Sequence, residues 1–277
     1  MDRVVAPPSS VTNGESLSLQ GITKVFGAQG SGLVAVQSAE LEVKAGEFLS
    51  IVGPSGCGKS TLLQIVAGLM APTEGAVFMG DKNVTGEPAH MVYLFQQYAK
   101  SLLPWMTVED NVKFSFNHRM NLSAAATRER CREFLEMVGL GDFARHYPWQ
   151  LSGGMQQRVA IARALAAEPS VLLLDEPFSS VDALTRLDLH ALILELWTRK
   201  RFTAVLVTHD VDEAVFLSDR IAILSHRPGH IVEVVETGLP RPRKIVETHS
   251  DPRFISVRQQ LLSYLLKKPG TPSAPIH

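Results

Sequence analysis

The chain has 277 residues, 45% of them hydrophobic, and its 27 basic and 28 acidic residues leave a formal net charge of −1. This composition predicts a folded globular protein with a substantial core and excludes a disordered chain. The balanced charge excludes a global basic field for nucleic acid or anionic lipid, so we expect no nucleic-acid partner and expect any membrane association to depend on another protein.

Cysteine content and apolar patterning predict where the chain works. The cysteines, Cys57 and Cys131, are too few for a disulfide framework, which favours a reducing compartment such as the cytosol. Residues 1–16 contain only Val-Val-Ala before two prolines, shorter than the apolar region of a secretory signal, so we predict a flexible N-terminal tail. No stretch approaches the roughly 18 to 20 apolar residues of a membrane-spanning helix, so we expect a chain that does not itself span a membrane.

The first part of the chain predicts strands followed by a loop and a helix. Residues 17–51 read as short strands separated by turns, which indicates a small β-rich region. It leads into Phe48–Val52, a short and mostly apolar run that we predict to be a buried strand. The run ends in Gly-Pro-Ser-Gly, and helical periodicity follows from Ser60 to Leu69.

The middle and end of the chain alternate helices and strands. Helical segments fill residues from about 98 to 168, the clearest being TRERCREFLEMVGL, which predicts a helical subdomain. The strands VLLLDEP and TAVLVTHD follow, separated by an amphipathic helix from about Ala183 to Lys200, an alternation typical of a parallel sheet. Beyond Gly238 the composition turns to proline, arginine and lysine, so we predict a C-terminal tail over 239–277.

A glycine-rich loop after the first buried strand has the G-x-x-x-x-G-K-[ST] pattern in the strand–loop–helix context that the pattern requires. Glycines let successive backbone N–H groups point at phosphate oxygens, and the helix N-terminus adds a favourable dipole. Lys59 would neutralise the β- and γ-phosphates of a nucleotide, and Ser60 would bind Mg²⁺. The alternative, a turn that binds nothing, leaves the complete pattern unexplained. The candidate nucleotide-binding residues are Gly53, Pro54, Ser55, Gly56, Cys57, Gly58, Lys59, Ser60 and Thr61.

The strand VLLLDEP ends in two carboxylates, which suit the second half of a phosphate-transfer site. Mg²⁺ prefers oxygen ligands and retains several waters, so Asp175 would hold a metal-bound water. Glu176, one residue further, is placed to polarise the water that attacks the γ-phosphate. An ordinary strand-end turn is the alternative for this Asp-Glu pair when it is considered without the phosphate loop.

A second candidate anion site opens the helix that begins after Leu151, in the sequence LSGGMQQR. Two glycines after a serine at a helix start leave backbone N–H groups free for an anion. One nucleotide has no need for two separate phosphate-binding helix starts in one chain, whereas two chains that face each other do. The alternative is a small-residue helix-packing site. Many enzyme classes share the phosphate loop, so this second motif decides between them.

LSGGMQQR resembles the signature of ABC-type ATPases, and the resemblance covers about residues 17–231. It implies that Ser152, Gly153, Gly154 and Gln156 of one subunit bind the ATP held by the phosphate loop of the other, in a head-to-tail dimer. The implied fold is an α/β P-loop NTPase (RecA-like) parallel-sheet core, with an antiparallel β subdomain and the signature-bearing helical subdomain. We place this ATPase domain at 17–238.

Four further positions match motifs of the same family. By this resemblance, Phe26 stacks on adenine, Gln96 contacts Mg²⁺ or water and senses the membrane partner, Asp182 crosses the dimer interface, and His209 contacts the γ-phosphate. Without the resemblance, Phe26 would be assigned to the core, Gln96 to the surface and His209 to a structural role. The implied catalytic residues are Lys59, Gln96, Glu176 and His209, and the implied metal-site residues are Ser60, Gln96 and Asp175.

LLPWMTVEDNV and LSDRIAILSHRPGHIVE resemble ATP-binding subunits of importers for nitrate, sulfonates, taurine and related small compounds. The resemblance implies a second ATP-binding subunit, a transmembrane permease, a periplasmic substrate-binding protein and a location on the cytoplasmic face of the inner membrane. Pro104 and Trp105 would contact the permease, although Trp105 could equally be core. Three alternatives fit less well. A soluble DNA-repair ATPase would need a long coiled-coil insertion, and a translation-type relative would need a second cassette. The hypothesis of a small-molecule kinase leaves LSGGMQQR unexplained.

Overall fold

Two β-sheets and their flanking helices make up the computed structural model, which describes residues 13–27, 32–97, 101–117 and 123–266. The strands of these ranges are β1 (Leu17–Phe26), β2 (Leu33–Val43), β3 (Phe48–Val52), β4 (Glu74–Met79), β5 (Lys82–Asn83), β6 (Met91–Leu94), β7 (Val171–Asp175), β8 (Thr203–Thr208), β9 (Arg220–Leu224) and β10 (Ile231–Glu236). The helices are α1 (Lys59–Val66), α2 (Val108–Asn117), α3 (Ala124–Met137), α4 (Gly153–Ala166), α5 (Ala183–Lys200), α6 (Val211–Leu217), α7 (Ile245–His249) and α8 (Pro252–Leu265).

The larger sheet has the strand order β10-β9-β3-β8-β7-β6 and is parallel except for β10, which is antiparallel to β9. Strands β3, β7 and β8 are buried along their whole length, as their continuous apolar sequences predict for a sheet covered on both faces. Val52 pairs with Thr208, and Asp175 pairs with Val207. The carboxyl ends of these three strands therefore meet at one edge of the sheet, where open α/β folds bind ligands.

The two faces of this sheet pack into different hydrophobic clusters because side chains alternate along each strand. Leu172 and Leu174 belong to the larger cluster, which holds the buried faces of α4, α5 and α6. Leu173 belongs to the smaller cluster, which joins α1 to the second sheet. That second sheet is antiparallel with the order β2-β1-β4-β5. The predicted α/β fold, with a parallel core and an antiparallel β subdomain, is confirmed.

Helices α2, α3 and α4 form the helical region between β6 and β7. Ser123 caps the start of α3, where its hydroxyl accepts a hydrogen bond from the Ala126 amide at 3.2 Å. The buried face of α3 is made by Cys131, Phe134 and Leu135, and α2 and α4 pack against each other and against α3. Residues 98–100 and 118–122 of the predicted helical subdomain lie outside the described residues.

The chain after Gly238 packs against the core through α7 and α8. Phe254, Val257 and Leu261 of α8 join the larger hydrophobic cluster. Arg243 is buried and donates to the carbonyl oxygens of Phe216 at 2.8 Å and Ser218 at 2.9 Å, at the end of α6. Burial, followed by the charge of a neighbouring arginine, lowers the pKa of Arg243 to about 9. These contacts fix the segment that follows β10 to the helix that follows β8.

The ends of the chain are described in part. Residues 1–12 of the predicted N-terminal tail and 267–277 of the predicted C-terminal tail lie outside the described residues. The carbonyl oxygen of Glu15 accepts a hydrogen bond from the Thr203 hydroxyl at 2.6 Å, which attaches the end of the N-terminal segment to β8. Within the described ranges, every helix is too short or too polar to cross a membrane.

Candidate functional site

The predicted phosphate loop connects β3 to α1 at the carboxyl edge of the large sheet. Gly56 and Gly58 adopt left-handed backbone conformations, with φ of +73° and +107°. A Cβ atom on Gly58 would lie 2.7 Å from the Ala35 carbonyl oxygen, so this position requires glycine. No side chain caps the start of α1 at Gly58, which leaves the first amide groups of the helix available to an anion.

Lys59 is held over the loop that it terminates. Its buried ammonium group donates to the carbonyl oxygens of Gly53 at 2.8 Å and Pro54 at 3.0 Å. A buried cation surrounded by main-chain groups of the loop suits a polyanionic ligand, because phosphate oxygens are stronger acceptors than carbonyl groups. The loop therefore fits the phosphates of ATP.

A pocket of about 270 Å³ adjoins the phosphate loop. Phe26, Leu33 and Ala35 line one side and residues 55–61 of the loop, except Cys57, line the floor. Phe26 is 40% exposed, so a ring face is available for stacking on a base. Cys57 is buried, and burial raises the pKa of its thiol. Because its side chain points away from solvent, Cys57 would contact a ligand through its backbone.

Asp175 lies beside the phosphate loop and accepts two hydrogen bonds. The Ser60 hydroxyl donates to Oδ1 at 2.9 Å, and the Tyr93 hydroxyl donates to Oδ2 at 2.7 Å. Burial, followed by the charge of Asp175, raises the pKa of Tyr93, so the phenol stays protonated. A hydroxyl and a carboxylate are the hard oxygen ligands that Mg²⁺ takes beside its waters and substrate phosphates, so these residues fit the ion.

Glu176 follows Asp175 in a left-handed backbone conformation, with φ of +44°. Its amide donates to the Val207 carbonyl oxygen at 2.9 Å, which ties this residue to β8. Glu176 Oε2 lies 3.2 Å from Gln96 Nε2 and 3.1 Å from His209 Nδ1. A non-glycine residue with positive φ is uncommon and is a feature of functional sites. Four of the predicted catalytic and metal-site residues, Gln96, Asp175, Glu176 and His209, thus lie together with Ser60 at the phosphate loop.

The predicted signature residues lie away from this pocket, among whose lining residues none of them occurs. Ser152 caps α4, and its hydroxyl accepts a hydrogen bond from the Met155 amide at 3.3 Å. The first amides of the helix, including those of Gly153 and Gly154, have no acceptor within the helix. Gln156 Nε2 donates to the carbonyl oxygen of Pro148 at 3.0 Å.

Asp182 lies close to the signature within the same chain. It caps α5, where its carboxylate accepts from the Thr185 amide at 3.1 Å. Hydrogen bonds from the Thr185 side chain and then from its amide lower the pKa of Asp182. A Cβ atom on Gly154 would lie 2.5 Å from Thr185 Cγ2, so the starts of α4 and α5 are in contact. One surface thus presents Ser152, Gly154 and Asp182 apart from the pocket.

Two residues at the site were missed by the sequence analysis. Arg227 lines the pocket and donates from Nη2 and Nε to the Gly56 carbonyl oxygen, at 2.6 Å and 3.1 Å. It comes from the turn between β9 and β10, which packs on β2 through Gly229. Tyr93 pairs with Leu173 in the sheet, and the register of β6 on β7 brings it to Asp175. Local sequence does not indicate either residue, because each reaches the site only through the packing of segments that are distant in sequence.

Comparison with known proteins identifies relatives of the chain. The family model described as ABC transporter matches residues 36–179. An aliphatic sulfonates import ATP-binding protein of Bacillus licheniformis is 44% identical over 247 residues, covering 89% of this chain and 93% of the relative. A bicarbonate transport ATP-binding protein of Synechocystis sp. is 44% identical over 252 residues, covering 90% of this chain and 38% of the relative.

A solved structure of similar fold is a dimeric ATP-binding cassette in a post-hydrolysis state, bound to ADP and inorganic phosphate. It is 35% identical in sequence and has a TM-score of 0.69, with 79% of this chain and 98% of that chain covered. The likeness covers the overall fold of the cassette.

Proposed function

Because the chain belongs to the family of ABC transporter ATP-binding proteins, we propose that it is the ATP-hydrolysing subunit of an importer for a small compound. In this role it works as a homodimer at the cytoplasmic face of the inner membrane, beneath a separate permease. The single observation that carries the proposal is the arrangement at the phosphate loop, where Glu176 contacts Gln96 and His209 beside the Ser60–Asp175 pair.

The reaction that this arrangement supports is transfer of the γ-phosphate of ATP to water. Lys59 and the amides of the loop bind the phosphates, while Phe26 stacks on the base. Glu176 polarises the attacking water, and His209 and Gln96 fix the orientation of its carboxylate. Ser60 and Asp175 would hold Mg²⁺, which neutralises charge on the transferred phosphate.

The signature surface supports a dimer, because the residues at the start of α4 are not among those that line the pocket at the phosphate loop of the same chain. Ser152, Gly153, Gly154 and Gln156 would bind the ATP held by the partner, and Asp182 would lie at the interface. The dimeric form of the related cassette supports this arrangement. One active site would then need residues of two subunits.

A groove of about 440 Å³ between β6 and the helical region supports a permease contact. Its wall is largely apolar and includes Phe95, Leu103 and Phe114. Pro104 and Trp105 are exposed beside it, Trp105 by 70%, so the core assignment of Trp105 does not apply. A loop that presents an exposed tryptophan next to an apolar groove suits docking of a helix from a membrane protein.

Asn111 holds this loop in place. It is buried, its Oδ1 accepts from the Leu103 amide at 2.8 Å, and its Nδ2 donates to the carbonyl oxygens of Leu103 at 3.1 Å and Thr107 at 3.0 Å. The loop that would contact the permease is therefore held in place before docking, which reduces the entropy lost on binding.

The transported compound would be a small anion or organic compound, such as a sulfonate, taurine, nitrate or bicarbonate. The names of the sulfonate and bicarbonate relatives support this class. An extracytoplasmic binding protein would deliver the compound to the permease, and that protein and the permease would determine specificity.

Co-purification of the tagged chain from detergent-solubilised membranes of its native cell tests this proposal. We expect recovery of a permease with several membrane-spanning helices, identified by mass spectrometry. Recovery of soluble partners without any membrane protein would contradict the importer assignment. In that case the ATPase would belong to another machine.

A further inference from the structure

Tyr93 borders both the metal-site carboxylate of Asp175 and the groove. Its hydroxyl donates to Asp175 Oδ2 at 2.7 Å. Tyr93 and the neighbouring Phe95 are also among the residues that line the groove. The rings of Tyr93 and Phe95 are in contact, with centroids 4.5 Å apart. Tyr93 thus contacts the nucleotide site through its hydroxyl and contacts a groove-lining residue, Phe95, through its ring.

The register of the sheet explains how Tyr93 spans the two places. Tyr93 of β6 pairs with Leu173 of β7, and Leu173 and Asp175 point to the same face because side chains alternate along a strand. From its position opposite Leu173, a tyrosine is long enough to reach the carboxylate of Asp175, which lies two residues further along β7. A shorter side chain at position 93 would not reach Asp175.

Asp175 is oriented by two donors, one on each oxygen. Ser60 occupies Oδ1 and comes from the phosphate loop, while Tyr93 occupies Oδ2 and comes from the groove. Loss of a hydrogen bond that orients a metal-binding carboxylate typically costs 10- to 100-fold in metal affinity or activity. We propose that Tyr93 is a positioning residue that holds Asp175 for Mg²⁺ and makes this orientation depend on what occupies the groove.

The variant Tyr93→Phe tests the hydrogen bond, because it removes the hydroxyl and keeps the ring. Binding of a fluorescent ATP analogue to the purified chain is measured in EDTA and in a Mg²⁺ titration. We expect affinity in EDTA to be unchanged and the Mg²⁺ concentration at half-saturation to rise about tenfold. The matched control is Tyr264→Phe, which removes a tyrosine–carboxylate hydrogen bond to Glu233, outside the site. A Tyr93→Phe titration that coincides with those of wild type and control would overturn the proposal.

A double-mutant cycle with Phe95→Ala tests the connection to the groove. Removing the ring that packs on Tyr93 is expected to raise the Mg²⁺ half-saturation in the wild-type background, because Tyr93 loses its support. It should have no effect in the Tyr93→Phe background, since the hydroxyl that transmits the change is absent. An equal effect of Phe95→Ala in both backgrounds would show that Tyr93 does not transmit it.

The groove half of this inference rests on the proposed function, in which the groove receives the permease. Assembly with the co-purified membrane partner should shift the Mg²⁺ half-saturation of the wild type and leave that of Tyr93→Phe unshifted. An equal shift in both proteins would overturn the groove half. Failure of any membrane partner to bind would refute the proposed function, while the titrations of the isolated chain would still decide whether Tyr93 positions Asp175.

Discussion

At the scale of single residues, Glu176 shows how the backbone and the side chains cooperate at the site. Its left-handed φ of +44° turns the chain sharply after β7, and its amide is fixed to Val207 of β8. The turn brings the carboxylate to Gln96 and His209, which come from other segments. A strained conformation of this kind costs about 1–3 kcal/mol and persists because the surrounding contacts determine it.

Glu176→Gln is expected to lower the rate of ATP hydrolysis by about 10² to 10⁴, because an amide cannot act as the general base. The glutamine has the same size and can keep the contact with Gln96, so ATP binding should persist. Phosphate release and binding of a fluorescent ATP analogue measure the two properties separately. A variant that hydrolyses ATP at the wild-type rate would exclude Glu176 as the base.

Arg227→Gln is expected to weaken binding of ATP by about tenfold, since a hydrogen bond to a charged group contributes about 1.5–3 kcal/mol and 1.4 kcal/mol corresponds to a factor of ten. The substitution removes a cation from the pocket and a donor from the Gly56 carbonyl oxygen. Titration with the fluorescent analogue at two salt concentrations measures the effect. The control is Arg258→Gln, an exposed arginine paired with Asp212 outside the pocket. Equal affinities for both variants would contradict a role in nucleotide binding.

At the scale of elements, motifs in contiguous sequence predicted most of the candidate site, and long-range packing supplied the rest. The phosphate loop was recognisable because its strand, glycines and helix are adjacent in sequence. The bounds of α5, Ala183–Lys200, were predicted from its amphipathic period. In the structure the helix ends where Arg201 adopts a left-handed conformation. Tyr93 and Arg227 were missed because a strand register and a turn docked on β2 bring them to the site.

The C-terminal segment illustrates the same limit. Its composition predicted a C-terminal tail, but composition does not identify the surface against which a segment packs. Arg243 fixes this packing surface, because its buried guanidinium group donates to carbonyl oxygens at the end of α6, the helix that follows His209. The segment therefore supports the strand and helix that hold His209, which we propose contacts the γ-phosphate.

Arg243→Met is expected to destabilise the fold by about 3 kcal/mol, because it leaves buried carbonyl groups without donors. This corresponds to a fall in Tm of about 6–12 °C. Lys244→Met is the matched control, since Lys244 is exposed and its pair with Glu247 lies at the surface, where ion pairs contribute little. Thermal unfolding of both variants measures the difference. Equal Tm values would show that Arg243 does not hold the segment.

At the scale of the whole molecule, the described part of the chain has two candidate anion-binding surfaces, and a pocket lies at one of them. The phosphate loop with Glu176 forms a pocket, whereas the start of α4 forms an open surface beside the start of α5. Two copies arranged head to tail would complete two sites, each with a phosphate loop from one subunit and a signature from the other. ATP would then hold the subunits together until hydrolysis separates them.

If a complete active site needs two subunits, Glu176→Gln, which binds ATP without hydrolysing it, should form a dimer in MgATP. Size-exclusion chromatography with light scattering should find a dimer with ATP and a monomer without nucleotide. Adding Ser152→Arg to this variant should abolish the dimer while the fluorescent ATP analogue still binds, because the bulky cation blocks the signature surface. If Glu176→Gln and the double variant both bind ATP as monomers, and monomeric wild type has full ATPase activity, then the active site does not need two subunits.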